Sequence, residues 1–318
     1  MKAQPQLSIA LASYNGERYI SEQLNSLMRQ TRLPDELVIS DDASVDATRE
    51  IIADFIRHAP FSVRIQTNDK RLGSTRNFEM AIRACRGEII FLCDQDDVWY
   101  PDKIAVIEER FNSAPSIGAV FTEADVVDQD LHPLAQRLWS ASKFSPKEQA
   151  QVAASDAFGV LLRHPVATGA TMAFRSTYRN LVLPIPEIIW HDAWISLLIS
   201  ITSYLEAVPT PLIAYRQHSA NQIGIRRDHH GQSCSALYGP RALLYGSAHR
   251  RLLESTKHFS AGEQKLRRLD EAFRFFSARA ALPESRWRRV PIALHELMAL
   301  SYHRYAHGLA TFLKDLRR

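Results

Sequence analysis

Ile89-Ile90-Phe91-Leu92-Cys93-Asp94-Gln95-Asp96-Asp97 is the stretch that decides the fold. Five apolar residues in succession, without polar alternation, describe a strand covered on both faces, as in a parallel sheet. Three carboxylates follow within four positions. Upstream, the same unit recurs. Leu7 to Ala12 is another apolar run, followed by Ile20, Leu24, Leu27 and Met28 at helical spacing. Leu37 to Ile39 ends in Ser40-Asp41-Asp42, and Asp46 suits the cap of a helix with Ile51, Ile52, Phe55 and Ile56 on its apolar face. Val63 and Ile65 alternate in a third strand. Phe78, Ala81, Ile82 and Cys85 then form a helix face stopped by Gly87. Downstream, Pro101 suits the first position of a helix reaching about Asn112, and Gly118 to Thr122 reads as a fifth strand. Strand alternating with helix predicts an α/β fold, an open and mostly parallel twisted sheet flanked by helices. Such sheets bind ligands beyond the carboxyl ends of their strands. Ser13-Tyr14-Asn15, Asp41-Asp42 and Asp94 to Asp97 all follow strand ends and are expected to meet in one crevice.

The remainder is less regular. Leu134 to Ala154 is polar without a clear period and reads as a mobile excursion. Val166 to Phe174 reads as a strand with a close approach at Gly169. Asp192 opens an apolar helix, Trp194 to Ile201, and Pro209 and Pro211 bound a short strand ending at Tyr215. From about Leu237 the pattern is helical and basic, with breaks expected near Pro283 and Pro291.

The 318 residues are 46% hydrophobic and 23% charged, which excludes a disordered or disulfide-scaffold chain. Cys85, Cys93 and Cys234 are too few and too scattered for a framework and read as reduced thiols of a cytosolic protein. The first residues carry no signal-peptide pattern, and no apolar run reaches the ~18 residues of a membrane-spanning helix. A soluble or peripheral protein is expected. The net charge of +4 is uneven. Basic clusters at His249-Arg250-Arg251, Lys265 to Arg268 and Arg286 to Arg289 interleave with Phe273, Phe275, Phe276, Trp287, Tyr302, Tyr305 and Phe312. This tail suits an anionic membrane surface, or a helical extension packed on the rest of the chain or on a second subunit; nucleic acid is not the expected partner.

Three clustered carboxylates repel one another unless a cation is present. Asp94 and Asp96 therefore suit Mg²⁺ or Mn²⁺ bridging to phosphate, although the same spacing suits a solvated turn with a capping Asp. Asp41-Asp42 suits recognition of a nucleobase or ribose, or a turn and cap. Tyr14 can stack on a base or sit half-buried in a turn, and Arg71 or Arg76 can reach a diphosphate or stay solvated. No G-x-G-x-x-G and no G-x-x-x-x-G-K is present, which disfavours a dinucleotide site and a P-loop. Asp192 at a helix start suits either a cap or a general base. His218 suits a metal ligand or a solvated loop histidine, and Asp228-His229-His230 lies in a charged loop that carries no assignment.

Together these segments resemble glycosyltransferase family 2, with its GT-A fold. The resemblance rests on Ser8 to Gly16, Pro34 to Ser44 with Asp46, Asn68, Gly73, Arg76-Asn77-Phe78, Phe91 to Trp99, Gly169 to Phe174, His191-Asp192-Ala193-Trp194 and Tyr215 to Gly224. It covers roughly Leu7 to Gly224 and is similar to bacterial rhamnosyltransferase-like members that build surface polysaccharides. It implies a GT-A domain over 1–225, with a nucleotide-sugar half (1–123) and an acceptor half (124–225), and a basic helical extension over 226–318. It implies inverting transfer from a nucleotide diphosphate sugar to a glycan or lipid-linked oligosaccharide, in the cytoplasm or at the inner face of the plasma membrane. Ser13, Tyr14, Asn15, Asp42, Arg76, Asp94 and Gln95 would bind the donor. Asp94, Asp96 and His218 would hold Mn²⁺ or Mg²⁺, and Asp192 would be the general base. Two departures bear on this: Ala12 stands where members often carry Thr, and Ala167-Thr168 precede Gly169 where Asn is frequent. Rival expectations are nucleotidyl transfer to a sugar phosphate, for which the Gly-rich basic loop after strand one is missing, and a sugar- or nucleotide-binding module without catalysis.

Overall fold

A computed structural model describes residues 7–219, 221 and 233–317. Ala220, Gln222 to Gly224 and Asp228-His229-His230 lie outside the described residues. The chain divides into two compact units, Met1–Ala157 with Val166–Ile225 and Phe158–Pro165 with Arg226–Arg318.

In the first unit, β1 (Leu7–Ser13), α1 (Ile20–Met28), β2 (Glu36–Asp41), α2 (Thr48–His58), β3 (Ser62–Thr67), α3 (Ser74–Ala84) and β4 (Ile89–Asp94) alternate as the apolar pattern predicts. Then follow β5 (Val98–Trp99), α4 (Lys103–Ser113), β6 (Ile117–Val127), β7 (Pro133–Arg137), α5 (Leu138–Ala141) and α6 (Pro146–Ala153), while α7 (Ala157–Leu161), apart from Ala157, belongs to the second unit. A 3₁₀ turn (Gly169–Thr171), β8 (Met172–Arg175), α8 (Arg179–Val182), α9 (His191–Thr202) and β9 (Tyr204–Arg216) complete the unit. The strands form one sheet in the order β3-β2-β1-β4-β8-β6-β9-β5, with β7 on β6. It is parallel through β3-β2-β1-β4 and between β6 and β9; β5, β7 and β8 are antiparallel additions.

Alternation along β1 sends Ile9 and Leu11 into a core shared with Leu24 of α1, Ile52 of α2 and Ile107 and Phe111 of α4. Each such side chain, fully buried, contributes about 1.5–3 kcal/mol of transfer free energy. Ser8 and Ala10 face the other way, and α3 packs against β1 and β2.

Several expectations change. Leu134 to Ala154 is structured: it holds β7, α5 and α6, and α6 starts with a capping box between Ser145 and Glu148. Val166 to Phe174 is mostly a turn, with the strand beginning only at Met172. Pro209 and Pro211 do not bound β9 but lie inside it. The β6–β9 register shifts between Thr122 and Glu123, opposite Val208 and Pro211, so the missing N–H groups fall at a bulge. Pro291 lies within a helix, not at a break.

The second unit holds α10 (Cys234–Glu254), α11 (Glu263–Ala280), α12 (Arg286–Met298), α13 (Ser301–Tyr305) and α14 (Leu309–Arg317). Its centre is polar as well as aromatic. Asp315, fully buried, pairs with Arg279 at 2.7 Å and accepts hydrogen bonds from Tyr238 (2.6 Å) and Tyr302 (2.9 Å). The Tyr245 hydroxyl donates to the Leu161 and Leu162 carbonyls, and Arg241 donates to that of Arg163, so Phe158–Pro165 is held inside this unit. No helix among the described residues is long and apolar enough to cross a membrane.

Candidate active site

The parallel register sets Ala12 opposite both Ser40 and Asp94, and Ser13 opposite Asp41. The ends of β1, β2 and β4, the last two carrying Asp41 and Asp94, therefore finish level, beside one another. The loops beyond them are tied together. Ser13 Oγ donates to Asp41 (3.0 Å), and Asp41 also accepts from the Ser44 N–H (3.0 Å). Asn15, at φ +44°, accepts from Val45 N–H (3.0 Å) while its own N–H reaches Ser44 Oγ (2.9 Å). Left-handed backbone of this kind suits Asn among non-glycine residues. The Gln95 amide clasps Tyr14 from the side, accepting from its N–H (2.9 Å) and donating to its carbonyl (3.0 Å). Gly16 makes room: a Cβ there would collide with Gln95 Oε1.

Asp42 accepts from the N–H groups of Leu72 (2.6 Å) and Gly73 (2.8 Å) and from Asn68 (3.0 Å). It thereby anchors the 68–73 loop and keeps about one acceptor position on Oδ2. Ser13, Asn15, Asp42 and Gln95, expected on the donor, are therefore committed first to building the walls. Arg76 is committed too, to Glu79 (2.8 Å) and Glu187 (3.2 Å). Arg71 instead lies over the Tyr14 ring, 4.3 Å from its centre.

The acidic end is different. Asp94 receives no side-chain hydrogen bond among the described residues. Burial, then the charges of Asp96 and Asp192, push its carboxyl up to about 8. Asp97 is buried; its Oδ1 accepts from Arg216 N–H (2.9 Å), but Oδ2 has no partner among the described residues, and burial with Asp96 and Asp94 holds it well above the usual carboxylate range. Asp96 meets His218 Nε2 at 2.8 Å and Asn221 at 3.3 Å. Asp192, at the start of α9, accepts from Gly169 N–H (3.2 Å) and Ala193 N–H (2.7 Å). Tyr215 lies among all four: burial, then Asp97, Asp94, Asp96 and Asp192, raise its phenol well above its ordinary value. Asp94, Asp96, Asp97 and Asp192 thus share one electrostatic neighbourhood. Asp94 and the Oδ2 of Asp97, without donors among the described residues and held by burial toward the protonated form, are oxygens that fit a hard divalent cation.

The tightest grouping of Asp and His among the described residues lies elsewhere, at Asp128, Asp130 and His132, with ligand atoms within 4.8 Å of one another. Asp128 there accepts from the N–H groups of Asp130 and His132, both at 2.9 Å, and so closes the exposed β6–β7 turn. Asp94, Asp96 and His218 do not form so close a group of three, although Asp96 and His218 pair at 2.8 Å.

Residues 8–163 match the family described as Glycosyl transferase family 2. An uncharacterised glycosyltransferase of Nostoc is 30% identical over 68% of this chain and 66% of its own length. The chain belongs to glycosyl transferase family 2. The dTDP-rhamnosyl transferase RfbG of Shigella flexneri is 29% identical to this family 2 chain, over 67% of it and 73% of RfbG. Among solved structures, S. aureus TarS 1-349 in complex with UDP-GlcNAc superposes with a TM-score of 0.59 at 17% identity, covering 86% of this chain and 72% of that one. The mannosyltransferase PcManGT of Pyrobaculum calidifontis, in complex with GDP-Man and Mn²⁺, gives 0.53 at 18% identity, over 94% and 76%. These likenesses establish the GT-A-like fold. The chain spans 59 to 66% of the length of curated relatives from Nostoc and Mycobacterium.

The family 2 site also uses residues that sequence reasoning passed over. Arg216, 1% exposed at its side chain, donates to the carbonyls of Asp96 (2.7 Å) and Gln129 (2.6 Å), pairs with Glu22 and lies over Tyr19. It holds the acidic turn from behind, and its place two residues before His218 was the available signal. Beside Val98 and Ala214 opens a cleft of about 1160 Å³, lined by Tyr100, Asp125, Arg137, Trp139 and the β6–β7 hairpin.

Proposed function

We propose that this chain is an inverting glycosyltransferase, passing a sugar from a nucleotide diphosphate to an acceptor hydroxyl. The observation that carries the reading is the convergence of Asp94, Asp96, Asp97 and Asp192 beyond the strand ends, with Gln95 of the acidic turn clasping Tyr14, over which Arg71 lies. Tyr14 and the remaining acceptor position of Asp42 take the nucleoside, and Arg71 takes the diphosphate. Arg76 can join only by leaving Glu187. Asp94 and Asp96, with His218 beside them, hold Mn²⁺ or Mg²⁺. The cation, when bound, neutralises charge developing on the departing diphosphate.

Asp192 must be ionised to accept the acceptor proton. Two backbone N–H groups at the start of α9, those of Gly169 and Ala193, fix where its carboxylate points. Its carboxylate takes the proton as the acceptor oxygen attacks the anomeric carbon opposite the leaving diphosphate. One displacement with one base inverts the configuration.

The relatives and neighbours carry dTDP-rhamnosyl, UDP-GlcNAc and GDP-Man in their names, so the nucleotide-sugar class supports the reading while the donor stays unassigned. Rhamnosyl transfer in surface-polysaccharide synthesis is the narrower form suggested by RfbG. A glycan or lipid-linked oligosaccharide is the proposed acceptor. The exposed Trp287 (86%), flanked by Arg286 and Arg288, and the exposed Met298 (83%) at the other end of α12 support a peripheral site on the anionic inner face of the plasma membrane.

Incubation with dTDP-, UDP- and GDP-sugars, with Mn²⁺ or chelator, tests the reading; failure of all donors to be turned over would overturn it. Asp192→Asn is expected to lower kcat by about 10²–10⁴-fold, the usual worth of a general base, with donor affinity retained in calorimetry. Loss of nucleotide binding in that variant would remove the base assignment.

A further inference from the structure

Lys103 is a cation where a surface residue is expected. The side chain opens α4 yet is fully buried. Its ammonium lies 3.7 Å from the centre of the Trp99 ring and donates to the Ala170 carbonyl at 2.6 Å. No carboxylate among the described residues comes within ion-pair distance, although Asp94 and Asp97 both sense its charge. Burying an ammonium without a salt bridge is costly, so packing alone does not account for it. Methionine would fill the same space more cheaply.

What the ammonium holds explains its place. Ala170 is the middle residue of the 3₁₀ turn Gly169–Thr171. The Gly169 N–H of that turn donates to Asp192. Thr171 closes the turn, its N–H and hydroxyl both reaching the Thr168 carbonyl at 3.0 and 2.8 Å. The turn therefore has one polar tie to the carboxylate expected to act as base and another to the buried lysine that follows the acidic strand end. Gly169 has little freedom of its own, since a Cβ there would meet His191 Nε2 at 2.6 Å.

We propose that Lys103 is a positioning residue: its ammonium fixes the 169–171 turn, and through the Gly169 N–H it sets where the Asp192 carboxylate points. The inference rests on the glycosyl-transfer reading for its kinetic consequence, but the brace itself does not.

Lys103→Met separates the two. The variant is expected to melt at the wild-type temperature or higher and to bind nucleotide with Mn²⁺ at near-wild-type affinity. Its kcat should fall about 10–100-fold, the loss expected when a reacting group is misplaced by about an ångström. Amide exchange over 168–171, followed by mass spectrometry, should quicken about tenfold or more while α4 stays protected. Unchanged kcat and unchanged exchange would overturn the proposal. So would a joint fall of melting temperature, nucleotide binding and kcat, which marks a merely structural residue. Should Lys103→Met not fold, Lys103→Gln, which keeps a shorter donor, is read by the same exchange measurement. Faster exchange over 168–171 in a protein whose wild type turns over no nucleotide sugar would keep the brace and sink the transferase reading instead.

Discussion

Asp94 shows how far a residue's neighbours can move its chemistry. Its carboxyl titrates near 8 when folded and near 3.8 when unfolded. Between these values the folded protein holds a proton that the unfolded chain has released, so stability falls as pH rises. Asp97 acts in the same direction. Lys103, lowered by burial to about 7, opposes this only above neutrality. In chelator, the melting temperature is therefore expected to decline from about pH 5 to about pH 7. A divalent cation must displace those protons, so stabilisation by Mn²⁺ should be larger at pH 7 than at pH 5. Calorimetric scans with and without Mn²⁺ check both; a rise of the chelated protein's melting temperature over that interval would contradict the assignment.

At the scale of elements, the walls of the crevice depend on close approaches between loops. Gly16→Ala pushes on the Gln95 amide, which cannot retreat without releasing Tyr14. The expected result is a stability loss of about 1–3 kcal/mol, as in other overpacked sites, together with weakened nucleotide binding, read by urea denaturation and calorimetry. α12 poses a separate test. Trp287, Leu294 and Met298 follow one helical face and are all exposed. Trp287→Ser with Met298→Ser should abolish flotation with anionic liposomes; unaltered flotation would remove the membrane proposal. The first four strands and their helices were legible because continuous apolar runs and 3.6-residue periods report burial directly. β9 was not, because Pro209 and Pro211 argue against a strand unless a bulge is known. Nor was Lys103, since its charge signals solvent and only packing reveals otherwise. The acidic strand ends stood out, whereas the commitment of Asn15, Asp42 and Gln95 to neighbouring loops depends on distant pairings that local sequence does not encode.

The whole molecule carries its charge unevenly. Residues 233–317 hold fifteen Lys and Arg against seven Asp and Glu, while the chain as a whole is only +4. The catalytic chemistry proposed here belongs to the first unit and the basic surface to the second, a division the family resemblance implies near residue 225. The assignment of Phe158–Pro165 to the second unit changes what that division means. Phe158, Val160, Leu161 and Leu162 are buried, with Tyr245 and Arg241 of the helical unit holding their backbone neighbourhood and Arg268 over the Phe158 ring. A protein ended at residue 225 would keep this apolar peptide and lose the helices that sheathe it. Such a truncation is expected to precipitate or enter inclusion bodies, and replacing the four apolar residues with Ser in the shortened chain should recover soluble material. Evolutionary exchange of the helical tail between relatives is constrained in the same way: a new tail must bring its own groove for a strap that the catalytic half never releases.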